Sequence, residues 1–329
     1  MTDADPGHID GQGHEGVSVS PNTLSELQHG EVAYVLRAKG IRVLHIKGPT
    51  VALWLYGEGE RAWGDVDVLV HPGDLAAGLG ALRAIGYVDR HPGIGAGVTE
   101  DHAVTLVHRR RGSATAEIDV HSRFEGIGLE PAAAFEVLWA RREPEQLAHT
   151  PVWFPDLATR ALFLCLNAAR DLNSRTGRDL ERVVAVADDD DWAATIRLGR
   201  RLDALPAMKA GLVILPRGRA VVARTELASV AITTEWSLRL AHAPRTALRL
   251  NRLLSTPWRA WPTVVARWLL PPPAVIRMRD PRARAGRKAL AVGYIRRIGD
   301  GVTAVVPSVR ALVAARAGRS PAKWARSDE

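Results

Sequence analysis

The alternation of apolar and polar residues along the chain predicts mixed helices and short strands in its first half. Apolar residues at helical spacing after the polar cluster at Thr23 predict a helix that ends near Gly40. The apolar segment 43–46 predicts a strand, and 50–56 predicts a second helix after a Gly-Pro turn. The run 66–70 is apolar enough to predict a second, buried strand.

The pattern continues in the same way as far as residue 121. A turn and helix cap at 71–74 predict a helix that runs to about Ile85. Segments 104–108 and 117–121 predict two further strands, joined by the basic loop 109–113. This mixture of strands and helices predicts an α/β or α+β domain.

From Asp156 onward the pattern is helical. Asp156 is placed to cap one helix, residues 178–187 keep the helical period, and residues 191–255 predict more helix. The acidic run 188–191 is better explained as a cap with first-turn acids than as a metal site. Prolines break up the rest of the chain, which predicts short basic helices and turns.

Four segments follow from this pattern. We expect a disordered leader over 1–20, a catalytic domain over 21–150, a helical domain over 151–255, and a basic helical tail over 256–329 that is rich in Pro, Arg and Trp. The single cysteine, Cys165, excludes an internal disulfide framework and a Cys-rich zinc site. Its apolar surroundings predict a buried, inert thiol.

Charge changes the picture for the tail. The net charge of the 329 residues is +8, but the segment from 241 to the end holds eighteen Lys and Arg residues against four Asp and Glu residues. This asymmetry predicts either an anionic partner or a solvated basic surface. Three tryptophans alternate with arginines in the tail, which suits stacking on nucleic acid, contact with lipid headgroups, or plain helix packing. They are Trp258, Trp261 and Trp268.

The chain shows no signal peptide and no run of the roughly 18 to 20 apolar residues that a membrane span requires. We therefore expect a cytoplasmic protein without a membrane span.

Two carboxylates in the second predicted strand carry the first sign of chemistry. Side chains of a strand alternate between its faces, so Asp65 and Asp67 project together, about 7 Å apart. Like charges placed in this way repel each other and are costly to bury. A divalent cation such as Mg²⁺ resolves the conflict, because it takes one or two carboxylates together with substrate phosphates.

A third carboxylate lies on another predicted strand. Glu117, Asp119 and His121 share one face of that strand, and Ile118 and Val120 share the other. If the two strands are neighbours, Asp119 completes a cluster of three carboxylates. Such clusters hold two metal ions, one near the attacking oxygen and one on the triphosphate and leaving pyrophosphate.

These motifs together resemble a known family. The segments are Lys47-Gly48, Arg61-x-x-x-Asp65-x-Asp67-Val68-Leu69-Val70, Leu82-x-x-x-Gly86-Tyr87 and Ile118-Asp119-Val120-His121. Over about residues 24 to 180 the chain is similar to the uncharacterised nucleotidyltransferase family of bacteria, a branch of the DNA polymerase β-like superfamily. The resemblance implies an α+β fold, with a mixed sheet flanked by helices and followed by an α-helical C-terminal region.

The resemblance also implies roles for individual residues. Those expected to be catalytic and to bind Mg²⁺ or Mn²⁺ are Asp65, Asp67 and Asp119. Those expected to bind the nucleotide are Lys47, Gly48 and Arg61, where Arg61 either neutralises a phosphate or pairs with Asp65. The accessory residues are His121, which helps at the site or only hydrogen-bonds a carboxylate, and Arg123. Pro49 stands where the superfamily has serine, so the triphosphate must be held differently.

Three functions follow as alternatives. The first is an enzyme that moves a nucleotidyl or phosphoryl group from a nucleoside triphosphate such as ATP to an unknown small molecule, peptide or RNA. The second is a degenerate, antitoxin-like module of the same fold that contacts RNA through its basic tail. The third is a peripheral membrane protein anchored by its Trp/Arg tail.

Overall fold

A computed structural model describes residues 20–92, 103–109 and 115–318 of the protein. The predicted leader, apart from residue 20, and most of the predicted basic loop lie outside the described residues.

A five-stranded mixed sheet forms the centre of the N-terminal half. Its strand order is β1-β2-β5-β4-β3; β2 and β5 are parallel, and every other neighbouring pair is antiparallel. The strands are β1 (Val43–His45), β2 (Asp65–Val70), β3 (Val88–Asp89), β4 (Ala103–Arg109) and β5 (Thr115–His121). The sequence therefore predicted β1, β2, β4 and β5 correctly to within two residues, and missed the two-residue β3.

Helices connect and flank this sheet. They are α1 (Pro21–Ala38), α2 (Pro49–Leu55), α3 (Leu75–Ala84) and α4 (Pro131–Trp139). The capping pattern predicted at Thr23 is one turn too late. Ser20 caps α1 by accepting a hydrogen bond from the Thr23 backbone N–H, and proline occupies the first helical position, where its missing N–H costs nothing.

A β-hairpin that the sequence pattern did not predict follows α4. Strands β6 (Arg142–Leu147) and β7 (Thr150–Pro155) pair antiparallel through a two-residue turn. The turn residues Ala148 and His149 both have positive φ angles, 47° and 60°. The boundary predicted at residue 150 falls inside this hairpin.

The remainder of the described chain is helical. Its helices are α5 (Leu157–Arg170), α6 (Ser174–Val186), α7 (Asp189–Arg201), α8 (Leu205–Leu212), α9 (Pro216–Arg224), α10 (Thr234–Leu240), α11 (Arg245–Leu254), α12 (Trp261–Leu269), α13 (Pro273–Arg279), α14 (Arg287–Thr303) and α15 (Val305–Arg316). The predicted cap at Asp156 is confirmed, as is Asp188 as a cap followed by first-turn acids. At 17 residues, α14 is longer than the short helices expected there.

The two faces of the sheet are buried against different helices. Val66, Val68 and Val70 of β2 point to one face and join a core with α1 and α3. Asp65, Asp67 and Leu69 point to the other face. Leu69 belongs to a second and larger core that also includes α5, α6, α7 and α8. The two acids of β2 therefore face the helical half of the protein.

One close approach in the larger core depends on glycine. A Cβ atom built on Gly211 of α8 would lie 2.0 Å from the carbonyl oxygen of Cys165 in α5. Any larger residue would force the two helices apart. Cys165 itself is fully buried, and burial raises the pKa of its thiol, as expected for an inert core cysteine.

Within the described residues, no single helix has both the length and the apolar composition to cross a bilayer. Among these residues, only α14 and α15 taken together have the required length and apolar composition. The two helices bend by 43° at their junction.

Candidate active site

The pairing of β2 with β5 determines the geometry of the site. In this parallel pair, Asp67 lies opposite Asp119 and Asp65 lies opposite Glu117. Because the register aligns the two strands residue for residue, the acids of both point to the same face. Asp67, Asp119 and His121 each present an oxygen or nitrogen atom within 4.8 Å of the others.

Asp65 lies at the first position of β2 and is exposed, outside that close cluster. The neighbouring acids nevertheless affect the pKa of its carboxyl. Loss of hydration raises the pKa of the Asp65 carboxyl, and the negative charges of Asp67, Glu117 and Asp119 raise it further. A cation bound here would relieve this repulsion.

Asp67 is the buried centre of the cluster. Its Oδ1 atom accepts a hydrogen bond from Lys47 Nζ at 2.5 Å and lies 2.9 Å from Nε2 of His121. Burial alone would raise the pKa of the Asp67 carboxyl. The charge of Lys47 and the hydrogen bond with His121 outweigh burial, so that this pKa lies well below its usual range. Asp67 is therefore ionised at neutral pH.

The sequence left two roles open for His121, and the contact with Asp67 matches the hydrogen-bonding one. Burial lowers the pKa of His121, and the hydrogen bond to Asp67 offsets this only in part. A neutral imidazole keeps the bond by donating its Nε2 proton to Asp67. His121 can thereby fix the orientation of that carboxylate.

Asp119 is oriented from the opposite side by β4. The hydroxyl of Thr105, which lies opposite Asp119 in the β4–β5 pair, donates to Asp119 Oδ1 at 2.6 Å. The neighbouring acid on β5, Glu117, forms an ion pair with Arg90. Thr105 is a site residue that the sequence analysis missed, since a threonine in a strand carries no signal of its own.

Arg61 contacts an acid from the helical half of the chain. Its Nε and Nη2 atoms donate to the two oxygens of Asp179 at 3.0 and 2.8 Å, and its Nη1 atom donates to the carbonyl of Gly48 at 3.1 Å. Tyr56 donates its hydroxyl proton to the same Asp179 at 2.6 Å. The structure thus pairs Arg61 with Asp179 of α6, and not with Asp65.

Gly48 holds the turn between β1 and α2. Its φ angle of 63° lies in the left-handed region that favours glycine, and Trp63 packs 3.5 Å from where a Cβ atom would lie. Pro49 has no backbone N–H group. The N–H groups of the three residues after it, Thr50, Val51 and Ala52, donate to the carbonyls of Lys47 and Gly48. These three N–H groups are therefore hydrogen-bonded within the turn and the first turn of α2, and nucleotide binding at Gly48 stays a prediction.

Two exposed arginines are candidates for contact with a substrate. Arg123 follows β5 by two residues, and Arg175 lies in the first turn of α6. The charge of Arg175 acts on Asp65 and lowers the pKa of its carboxyl, against the other causes. Arg175 was not among the predicted site residues, since it is more than a hundred residues away from Asp65 in sequence.

A buried histidine pair lies behind the site. Nδ1 of His29 in α1 is 2.7 Å from Nδ1 of His45 in β1, and both side chains are fully buried. Burial lowers the pKa of His29 to about 4 and also lowers that of His45. Both rings are neutral at pH 7, so one donates to the other. Their Nε2 atoms have no hydrogen-bond partner among the described residues.

The donor set fits a hard divalent cation. Asp67 and Asp119 supply carboxylate oxygens from adjacent strands, and Asp65 adds charge at the exposed edge of the same face. Mg²⁺ is commonly bound by one or two carboxylates, with water and substrate phosphates completing the shell. The cluster is the one group of this kind within the described chain.

Comparison with known proteins identifies a family for the chain. Residues 18–217 match the model of a family described as uncharacterised nucleotidyltransferase. The chain therefore belongs to the uncharacterised nucleotidyltransferase family, as the motifs implied. No curated protein matches the chain.

A crystal structure of an antigenic nucleotidyltransferase-like protein from Paracoccidioides brasiliensis is similar over 57% of this chain and 92% of its own, with 16% identity and a TM-score of 0.35.

Proposed function

We propose that the protein is a metal-dependent nucleotidyltransferase that moves a nucleotidyl group from a nucleoside triphosphate to an acceptor hydroxyl or phosphate. The observation that carries this proposal is the register of β2 and β5, which sets Asp67 directly opposite Asp119 on one face. Membership of the uncharacterised nucleotidyltransferase family supports this class of reaction. The cluster of Asp67, Asp119 and His121 supplies ligands suited to it.

In this reaction an acceptor oxygen attacks the α-phosphorus, and the bond from that phosphorus to the leaving pyrophosphate breaks. Bound Mg²⁺ would supply charge neutralisation at the phosphates and help to ionise the acceptor oxygen. Asp119 takes the acceptor proton, since Thr105 holds one of its oxygens and leaves the other for this task. Lys47 and His121 keep Asp67 ionised and oriented.

The triphosphate needs positive charge from side chains near the acids. Lys47 and Arg61 were expected to provide it, but both are engaged with acids, Asp67 and Asp179. We assign the outer phosphates to Arg175, because it is exposed and its charge acts on Asp65. Arg123 is the second candidate, because it is exposed and follows β5 by two residues.

Binding of a fluorescent ATP analogue, titrated with Mg²⁺, tests the proposal without knowledge of the acceptor. Asp67→Asn and Asp119→Asn should each abolish the Mg²⁺-dependent part of binding, and Arg175→Ala should weaken it by about tenfold, as expected for one charge-assisted contact. Asp190→Asn, an exposed acid in the first turn of α7, is the matched control and should bind as the wild type does.

Transfer itself is tested by incubating the protein with α-labelled and γ-labelled nucleoside triphosphates and a cell extract. Label from the α-position in a product indicates nucleotidyl transfer, and label from the γ-position indicates phosphoryl transfer. If the wild type binds no nucleotide with or without Mg²⁺, the proposal that the protein is a nucleotidyltransferase is wrong. RNA retention with a steep salt dependence would then favour the degenerate binding module.

A further inference from the structure

An exposed apolar stripe runs along the last two described helices. Its members share one side of α14 and α15, at intervals of three or four residues apart from one longer step. Each exposes between 44% and 70% of its surface: Val292, Ile295, Val302, Val306, Val309 and Val313. This is the arrangement of a helix face that is buried against something, yet no described part of the chain covers it.

The opposite side of α15 is already occupied. Ser308 and Leu312 are buried, and Leu312 packs with Leu238 and Ala247 of α10 and α11. The helices therefore cannot turn the stripe inward without breaking this core. Since one side packs on protein and the pair bends by 43°, the stripe is suited to lie on a surface and not to cross a bilayer.

The stripe continues into a groove of about 720 Å³ between α11, α12, α13 and α14. Val302 belongs to both. The groove is lined by apolar side chains such as Leu250, Val265 and Trp268, but also by five arginines against two aspartates. Apolar walls combined with excess positive charge fit an anionic amphiphile.

Charge decides between the possible partners. Residues 241–318 hold fifteen Lys and Arg residues and two Asp residues. Exposed Lys288 and Arg310 flank the stripe by helical spacing. Two copies of so basic a face would repel each other, whereas an anionic lipid surface attracts it. Nucleic acid would also be attracted by the positive charge, but it offers no apolar region that would bury a row of aliphatic side chains.

We propose that the apolar stripe and the adjoining groove dock the protein on the surface of an anionic membrane. The aliphatic side chains enter the boundary between headgroups and acyl chains, and exposed Lys288 and Arg310 contact the lipid phosphates. Trp258 and Leu270, on either side of α12, are also exposed apolar side chains, 71% and 68% accessible. The site is independent of the acids on β2 and β5.

Co-sedimentation of the full chain with vesicles tests this proposal. We expect binding to vesicles of equal parts phosphatidylcholine and phosphatidylglycerol, and at least about tenfold weaker binding to phosphatidylcholine alone. The double variant Ile295→Gln, Val306→Gln should bind the anionic vesicles at least about tenfold more weakly than the wild type. Lys288→Ser with Arg310→Ser should weaken binding by about tenfold and flatten its dependence on salt.

The matched control is Val88→Gln with Val186→Gln, which removes two apolar side chains of 58% and 60% exposure from other parts of the protein. It should bind vesicles as the wild type does. All replaced residues are exposed, and circular dichroism checks that each variant is folded.

The proposal is overturned if the wild type fails to bind anionic vesicles or if the stripe variant binds them as well as the control does. It is also overturned if the stripe variant loses only self-association in sedimentation velocity, or only RNA retention, while its vesicle binding is unchanged.

Discussion

The contact between Arg61 and Asp179 makes a quantitative prediction. It joins the turn before β2 to α6, across 118 residues of sequence. The two side chains expose only 11% and 6% of their surface and meet through two parallel hydrogen bonds. Removing one partner of such a pair leaves a buried charge, which costs roughly 3–5 kcal/mol. Asp179→Leu and Arg61→Met should therefore each destabilise the protein by about 3 kcal/mol, near the low end of that range because a little solvent reaches both groups.

The double variant separates a buried charge from lost packing. Arg61→Met with Asp179→Leu leaves no unpaired charge, although the Tyr56 hydroxyl and the Gly48 carbonyl each lose a hydrogen bond. At about 1 kcal/mol for each of these bonds, it should cost about 2 kcal/mol, less than either single change. The free energies of unfolding come from urea titrations followed by tryptophan fluorescence, with m-values compared between variants.

An exposed pair provides the control. Arg224 contacts Asp189 at 2.9 Å, but the two side chains are 47% and 83% exposed. Arg224→Ala should therefore change the free energy of unfolding by less than about 1 kcal/mol. If Asp179→Leu costs no more than Arg224→Ala, or if the double variant is less stable than both single variants, the buried pair does not join the two halves as described.

Three further changes test other features. Lys47→Met should make acid unfolding begin at higher pH than in Lys39→Met, an exposed control, as followed by circular dichroism. The pKa of Asp67 is lowered in the folded state, so its stabilising contribution is present above its ordinary pKa and is lost as the pH falls through the folded value. Burial, then the hydrogen bond to Asp179, raises the pKa of Tyr56 to about 12, so its contribution is present below pH 10 and is lost between about pH 10 and pH 12. Tyr56→Phe, but not Tyr34→Phe, should abolish that loss of unfolding free energy, and an equal loss in both variants would disprove this origin. Gly211→Ala should destabilise by about 3 kcal/mol because of its contact with Cys165, whereas Gly80→Ala, which meets nothing within 4 Å on α3, should be neutral or stabilising by up to about 1 kcal/mol in the same urea assay.

The sheet was largely predictable because its strands alternate clearly. Val66 lies between Asp65 and Asp67, and Ile118 lies between Glu117 and Asp119, which predicts both strands and their two faces. The alternation also gave the convergence of Asp67 with Asp119 once the strands were taken as neighbours, and the parallel register agrees. That Asp65 takes part in metal binding stays a prediction.

The hairpin of β6 and β7 was missed for a local reason. Two-residue hairpin turns with positive φ at both positions normally use Asn-Gly or Asp-Gly. Here the turn is Ala148-His149, with φ angles of 47° and 60°, so the usual signal is absent. Prolines at 144, 151 and 155 obscured the strands further, since proline normally argues against a paired strand.

The partners of Arg61 and Asp119 were missed because they are distant in sequence. In the sequence, Asp179 cannot be distinguished from any other acid in a helix. Only folding brings it into contact with Arg61 and Tyr56. Thr105 becomes meaningful only when β4 pairs with β5. The predicted division at residue 150 stays a prediction, and the large core that includes both Leu44 and Trp192 runs across it.

That continuous core restricts how this sheet can be used elsewhere. Leu69 on its acidic face packs in a core with helices that begin only at Leu157, so ribosomal synthesis must proceed well beyond β5, which ends at His121, before that core can form. A fragment of the protein that ends after β5 would expose Leu69 and its apolar neighbours to water, and such a fragment would tend to aggregate. If this sheet is transferred to another protein, α5 to α8 must be transferred with it, or other helices must bury the same apolar side chains.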